Sequence, residues 1–178
     1  MKNYFFSLVA LLITTATSAQ LSPDSRDIPM RDGKYLAADF YSNDSTVQKP
    51  TILIMTPYGK FFYTIIGLPF DIGYDFSKSN YNFVIVDWRG RFASSGAFAI
   101  DSDNGEDGYD VVEWIAAQSW SDGKIGTWGP SALGGVQFDL AKEKPPHLTC
   151  CVPEVAAPIY EYSHYHPGGV LETATYRT

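Results

Sequence analysis

Ser131 is the residue whose setting most directly implies chemistry. The short apolar run Lys124-Ile125-Gly126-Thr127-Trp128 passes into Gly129-Pro130-Ser131-Ala132-Leu133-Gly134-Gly135 and then into a helical pattern from Ala132 to Lys144. A serine at a tight strand-to-helix turn is the arrangement of a nucleophile elbow, in which backbone strain holds the hydroxyl clear of the sheet edge. The turn crowds its neighbours, which explains small residues at Gly129, Ala132 and Gly134. The N–H of Ala132 would face the developing oxyanion of a reacting carbonyl, in the field of the helix dipole. Strict G-x-S-x-G spacing would put a glycine where Leu133 stands, and here it falls one position later. A plain structural turn also fits Gly-Pro-Ser alone; the strand before it and the helix after it favour the elbow.

A serine hydroxyl becomes a nucleophile only beside a general base, normally a histidine oriented by an acid. The chain has three histidines. His147 follows the helix after Ser131 and reads as a surface loop residue. His164 and His166 come later, but no acid-bearing parallel strand separates them from the serine, as the order Ser, acid, His would require. Their His-Tyr-His spacing would suit two metal ligands on one strand face, yet no third ligand accompanies them. Cys150 and Cys151 are adjacent, so in a strand they point to opposite faces; they read as small buried hydrophobes. No cofactor signature is present, and neither a cofactor nor a metal is expected.

The elements that must position Ser131 are legible on either side of it. Thr51 to Met55, Asn82 to Val86, Lys124 to Trp128 and Leu148 to Val152 are short apolar runs without alternation, as expected of parallel strands covered on both faces. Gly108 to Gln118 is an amphipathic helix with Val111, Val112, Ile115 and Ala116 on one face, Asp110 and Glu113 on the other, and Glu106 and Asp107 at its start. A second helix runs from Ala132 until Pro145-Pro146 stops it. The apolar and aromatic interval from Phe61 to Asn80 is expected to hold one helix. Before these, Arg31-Asp32-Gly33-Lys34 predicts a hairpin turn between Ile28–Met30 and Tyr35–Tyr41, and Gln20 to Asp27 reads as a mobile polar terminus. Alternating strands and helices from Thr51 to Val152 define an α/β domain with a mainly parallel sheet.

Residues 1–19 have the form of a secretory signal peptide: Lys2, an apolar stretch from Phe5 to Ile13, and the small residues Thr17-Ser18-Ala19. Nine helical residues reach only about 13.5 Å, well short of a bilayer core of about 30 Å, so a stable membrane span is the weaker reading. The expected location is periplasmic or secreted, after cleavage near Ala19. With 13 basic against 20 acidic residues and no Lys/Arg cluster, the chain has no electrostatic footprint for nucleic acid. The sequence sets no oligomeric state.

Several segments, in order, resemble the family of X-prolyl dipeptidyl-peptidase-like and cocaine-esterase-like serine hydrolases, which includes the α-amino-acid ester hydrolases. They are Met30-Arg31-Asp32-Gly33 with Leu36-Ala37-Ala38-Asp39, Thr56-Pro57-Tyr58-Gly59-Lys60, Asp87-Trp88-Arg89-Gly90-Arg91 through Ser95-Gly96, and Glu106-Asp107-Gly108-Tyr109-Asp110. Glu113-Trp114-Ile115 to Trp120, Trp128-Gly129-Pro130-Ser131 and Lys144-Pro145-Pro146-His147-Leu148 follow. The resemblance implies an α/β-hydrolase-like fold that attacks small peptide, amide or ester substrates through an acyl-enzyme. It implies Ser131 as nucleophile and Tyr58 as the phenol completing an oxyanion hole with the Ala132 N–H. Many members carry tyrosine directly after the serine, where this chain has Ala132. Asp87, Arg89 and Arg91 are expected to pair and fix a loop, and Asp107 and Asp110 to be helix-start and solvent-face charges. Residues 20–157 would form the N-terminal part of the hydrolase domain and 158–178 the start of a helical cap, with Tyr160 to Tyr176 near substrate. The sheet would then be incomplete at its C-terminus, without the late acid and histidine.

Overall fold

The hairpin forms where Asp-Gly predicts it. In the computed structural model, which describes residues 21–99 and 103–158 together with His166 and Val170, strand β1 (Asp24–Pro29) pairs antiparallel with β2 (Tyr35–Tyr41). Gly33 takes φ 80° in the turn. The Lys34 N–H donates to Asp32 Oδ1 at 3.1 Å. Structure therefore starts at Asp24, and Asp24 to Asp27 are not the mobile segment that their polarity predicts. They are the first residues of an edge strand, where polar side chains can face water while the backbone pairs on one side.

Strands β3 (Lys49–Thr56), β6 (Asn82–Asp87), β7 (Ser121–Pro130) and β8 (Leu148–Glu154) contain the four predicted apolar runs. The six-stranded sheet has the order β1-β2-β6-β3-β7-β8. β6, β3, β7 and β8 run parallel, and β2 joins β6 antiparallel. All four parallel strands thus deliver their C-terminal ends to one edge. α/β sheets bind ligands at that edge.

Helices α2 (Asn104–Ala116) and α3 (Ala132–Glu143) cross between parallel strands. α2 starts four residues before its predicted limit because the Asp103 carboxylate accepts the Gly105 N–H at 2.6 Å and caps it. Val111, Val112 and Ile115 from α2 and Val136 and Leu140 from α3 pack with Leu36, Phe40, Leu53, Val84, Val86 and Ile125 on one face of the sheet. Tyr41, Ile54, Phe83 and Ile85 point to the opposite face, where they meet Tyr63, Leu68, Phe76 and Leu133. Both faces being covered accounts for apolar runs without alternation.

The interval from Phe61 to Asn80 is more broken than a single helix. It holds a short α1 (Phe61–Ile66), the two-residue strands β4 (Gly67–Leu68) and β5 (Asp71–Ile72), and a 3-10 turn at Phe76–Lys78. Gly67, at φ 83°, ends α1, and a Cβ there would lie 2.6 Å from the Tyr74 nitrogen. This segment covers β2, β6 and β3. Over β7 and β8 the same face carries no element among the described residues, leaving an apolar groove of about 400 Å³ lined by Ile52, Trp128, Cys150 and Val152. Cys150 is accordingly exposed and Cys151 half-buried, both as free thiols. The predicted burial of the pair fails because β8 is an edge strand whose outer face is uncovered among the described residues. Residues 1–19, His164 and the stretch from Tyr160 to Tyr165 lie outside the described residues, as does Tyr176. No described helix is long and apolar enough to cross a membrane.

Candidate active site

β7 lies between β3 and β8 and ends at Pro130, so Ser131 emerges at the C-terminal edge of the sheet's parallel part. Its backbone takes φ 55° and ψ −121°, a conformation that L-residues rarely adopt. Such strain costs of order 1–3 kcal/mol and persists only where the surroundings enforce it. Here they do. The Ser131 N–H donates to the Glu154 carbonyl at 3.0 Å, and the Ser131 carbonyl accepts from the N–H groups of Gly134 and Gly135 at 2.9 and 2.8 Å.

The two glycines of the elbow have separate geometric reasons. A Cβ on Gly129, at φ 148°, would lie 2.5 Å from Leu133 Cβ. One on Gly134 would lie 2.6 Å from Ala156 Cβ and 2.9 Å from the Gly129 carbonyl oxygen. Leu133 turns its side chain inward, buried against the second core. The position three after the serine is the one crowded by Ala156, just past β8, and by the Gly129 carbonyl, so the glycine that falls one place late stands where this packing needs it. Ala132 is the first residue of α3, so its N–H has no acceptor within the helix. The seryl hydroxyl, on the exposed Ser131, stands beside this free donor at the positive end of a helix of 12 residues.

Tyr58 emerges at the same edge, two residues past the end of β3, and β3 is the immediate neighbour of β7. Adjacent strands lie about 4.8 Å apart, so the sheet brings the loops of Tyr58 and Ser131 together. Tyr58 is 52% exposed. Tyr63, by contrast, is buried, which pushes its phenol up to about 12 despite a hydrogen bond with Thr56. Of the two tyrosines in this segment, Tyr58 is the exposed one.

The loop carrying Tyr58 is tied down by Asp87 and by two residues, Lys60 and Asp39, to which the sequence assigns no role. Lys60 Nζ donates to Asp39 Oδ1 at 2.6 Å, and the Lys60 N–H donates to Asp87 Oδ1 at 2.7 Å. Asp87 Oδ2 accepts from the Ala93 N–H at 3.1 Å. Burial pushes the Asp87 carboxyl up, against the pull of these two N–H donors. The available signal for Asp39 was a carboxylate inside the apolar run Leu36 to Tyr41, since a buried acid requires a partner.

The expected pairing of Asp87 with Arg89 and Arg91 does not occur. Asp87 faces backbone donors, while Arg89 turns the other way, donating to Asp107 at 2.6 and 2.8 Å and to Asp32 at 2.7 Å. The paired carboxylates hold the Arg89 guanidinium above its usual range. Asp107 is correspondingly buried and is not merely a helix-start charge. Asp110 pairs with Arg31 at 2.8 Å. Arg91 is exposed.

His147 lies at the other end of the sheet. It precedes β8, so the seven residues of β8 place about 20 Å between it and the edge that carries Ser131. Its Nδ1 contacts Glu113 Oε2 at 2.8 Å, and it is a surface residue as predicted. Among the described residues no three His, Cys, Asp or Glu side chains are grouped to hold a metal.

Comparison with known proteins agrees with this architecture. The family model for X-Pro dipeptidyl-peptidase (S15 family) matches residues 32–178. The cocaine esterase of Rhodococcus sp. (strain MB1 Bresler) is 37% identical over 145 residues, which are 81% of this chain and 25% of that protein. The chain thus spans about a quarter of the length of the curated relatives it matches. Among solved structures, a CocE/NonD family hydrolase from Staphylococcus aureus is similar with a TM-score of 0.60 and 28% identity, covering 72% of this chain and 26% of that one. An α-amino acid ester hydrolase is similar with a TM-score of 0.63 and 26% identity, covering 84% of this chain and 29% of that one.

Proposed function

Because the chain belongs to the X-Pro dipeptidyl-peptidase (S15) family, we propose that it supplies the nucleophile and the oxyanion-binding groups of a serine hydrolase acting on small ester, amide or peptide substrates. Ser131 Oγ attacks the substrate carbonyl carbon, and the carbonyl oxygen takes up the charge. The Ala132 N–H and the Tyr58 O–H donate to that oxygen, two neutral donors that stabilise an anion without surrendering a proton. Collapse of the tetrahedral species expels the alcohol or amine and leaves an acyl-serine, which water hydrolyses.

The observation that carries this reading is the backbone of Ser131 at φ 55° between β7 and α3, with its N–H and carbonyl both engaged. A structural turn alone would be better served by glycine there. Ser131→Ala is expected to abolish labelling by a fluorophosphonate and to lower ester hydrolysis by about 10⁴-fold or more. Labelling that survives the substitution would overturn the assignment.

One observation favours a second reading of the isolated polypeptide. His147 stands at the wrong end of the sheet to accept the seryl proton, so residues 21–158 contain no histidine able to act as base. On that reading, with neither His164 nor His166 serving as base, the 178-residue chain holds the nucleophile and oxyanion hole but does not turn over by itself. Turnover of a p-nitrophenyl ester by the purified chain, lost in Ser131→Ala, would overturn it.

The export signal at residues 1–19 and the assignment of 158–178 to the start of a cap belong to the same proposal. They are supported by the sequence pattern described above. Processed protein recovered outside the cytoplasm should begin at Gln20.

A further inference from the structure

A largely buried ion pair stands behind the loop that carries Tyr58, outside the groups that contact substrate in the proposed chemistry. Asp39 sits in the middle of β2, only 3% exposed, and its Oδ1 accepts both the Ser25 hydroxyl at 2.8 Å and Lys60 Nζ at 2.6 Å. The Lys60 side chain, 14% exposed, lines an open surface hollow with Ser25, Arg26, Asp27 and three alanines, so its remaining donors can reach water. Residue 60 is gripped twice, by its side chain on β2 and by its backbone N–H on Asp87 at the end of β6.

The residues before it are constrained as well. The Tyr58 N–H donates to Thr56 Oγ1 at 3.1 Å. Gly59 lies at φ 99°, where a Cβ would come within 2.6 Å of the Phe61 ring and 3.3 Å of the Phe92 ring. The chain from Thr56 to Lys60 is thus held at both ends and at Tyr58, whose half-exposed phenol projects from it. A buried ion pair is a poor source of stability, because an apolar pair of similar volume does as well or better. What such a pair supplies is a defined geometry. A hydrogen-bond donor to an oxyanion works only if it is already aimed at the place where charge develops.

We infer that Lys60 is a positioning residue for the oxyanion hole: clamped on Asp39 and held by its N–H on Asp87, it aims the Tyr58 phenol toward the carbonyl attacked by Ser131. The inference rests on the function proposed above. It predicts that Lys60 acts on the reaction only through Tyr58.

A double-mutant cycle tests this directly. With p-nitrophenyl esters, Lys60→Met should lower kcat by about 10- to 100-fold and change KM by less than about threefold, because the lost interaction belongs to the transition state. Lys60→Arg should restore kcat to within about threefold, since a guanidinium also pairs with a carboxylate. In a Tyr58→Phe background, Lys60→Met should produce no further loss. Should Lys60→Met not fold, Lys60→Met with Asp39→Leu removes the pair as a unit and takes its place in the cycle. Hydrogen exchange of the peptide spanning Thr56 to Phe61 supplies a readout independent of turnover. It should quicken by about tenfold or more in Lys60→Met, with α3 unaffected. Unchanged exchange in that peptide overturns the inference, and so does a loss of kcat that persists undiminished without the Tyr58 hydroxyl. Fluorophosphonate labelling that survives Ser131→Ala would instead strike the proposed function itself, and the role of Lys60 would fall with it.

Discussion

At Ser131 the backbone and the side chain have opposing preferences. The hydroxyl is what acyl transfer requires, while φ 55° and ψ −121° form a conformation that glycine adopts far more readily than any residue with a Cβ. Ser131→Gly and Ser131→Ala should therefore be equally inactive but unequally stable. Glycine relieves strain of order 1–3 kcal/mol and gives back part of it through the greater freedom of its unfolded chain. A net advantage of about 1 kcal/mol for Ser131→Gly over Ser131→Ala follows, seen as a thermal midpoint about 2–4 °C higher. Equal midpoints would mean that the elbow is not strained. The strand-to-helix turn at Ser131 was legible in the sequence because a turn this tight restricts the residues around it. The reason for the late glycine was only partly legible, because beside the local Gly129 carbonyl the closest approach at Gly134 comes from Ala156, 22 residues further along the chain.

Helices α2 and α3 approach closely because their contact is made through glycines. A Cβ on Gly105 would lie 2.7 Å from the Asp139 carbonyl oxygen, and one on Gly108 would lie 2.8 Å from a Leu140 methyl. The same closeness leaves the Asp139 side chain partly buried and near Asp103, the carboxylate that caps α2. Burial and then the Asp103 charge raise the Asp139 pKa. A carboxyl with a raised folded-state pKa contributes stability at pH below its unfolded value of about 3.9, and loses that contribution as pH rises through the folded value. At neutral pH the ionised Asp139 is thus a net cost. Asp139→Asn should raise the thermal midpoint at pH 7, and the gain should shrink as pH falls through the raised folded value toward about 3.9. A gain that is constant with pH would exclude the electrostatic cause. The strands and both long helices were legible to within a few residues, since periodicity and caps are local. The fate of the charged groups was not. Arg89 finds Asp107 across 18 residues and Asp32 across 57, and nothing local distinguishes those partners from the nearer Asp87.

The molecule as a whole divides its sheet between two ends. Tyr58, Lys60, Asp87 and Ser131 all follow or close the C-terminal ends of β3, β6 and β7, and they cluster because those strands are parallel. The opposite end holds the connection from α3 into β8, and there His147 is tied to α2. Its Nδ1 meets Glu113 Oε2 at 2.8 Å, and its N–H donates to Glu113 Oε1 at 3.3 Å. The sequence reads His147, just past the helix that follows Ser131, as a surface loop residue. Topology gives the reason, because a helix that returns from one parallel strand to the next carries the chain from the C-terminal edge to the N-terminal edge. The pair is also surface-exposed, where such contacts contribute little. His147→Ala should therefore leave Ser131-dependent ester hydrolysis within about twofold of wild type and lower stability by less than about 1 kcal/mol in urea denaturation. A loss of kcat of about a hundredfold or more at unchanged stability would make His147 the general base. It would require the start of β8 to lie at the serine edge, which the parallel register of β7 with β8, from Gly126 against Cys150 to Pro130 against Glu154, does not allow.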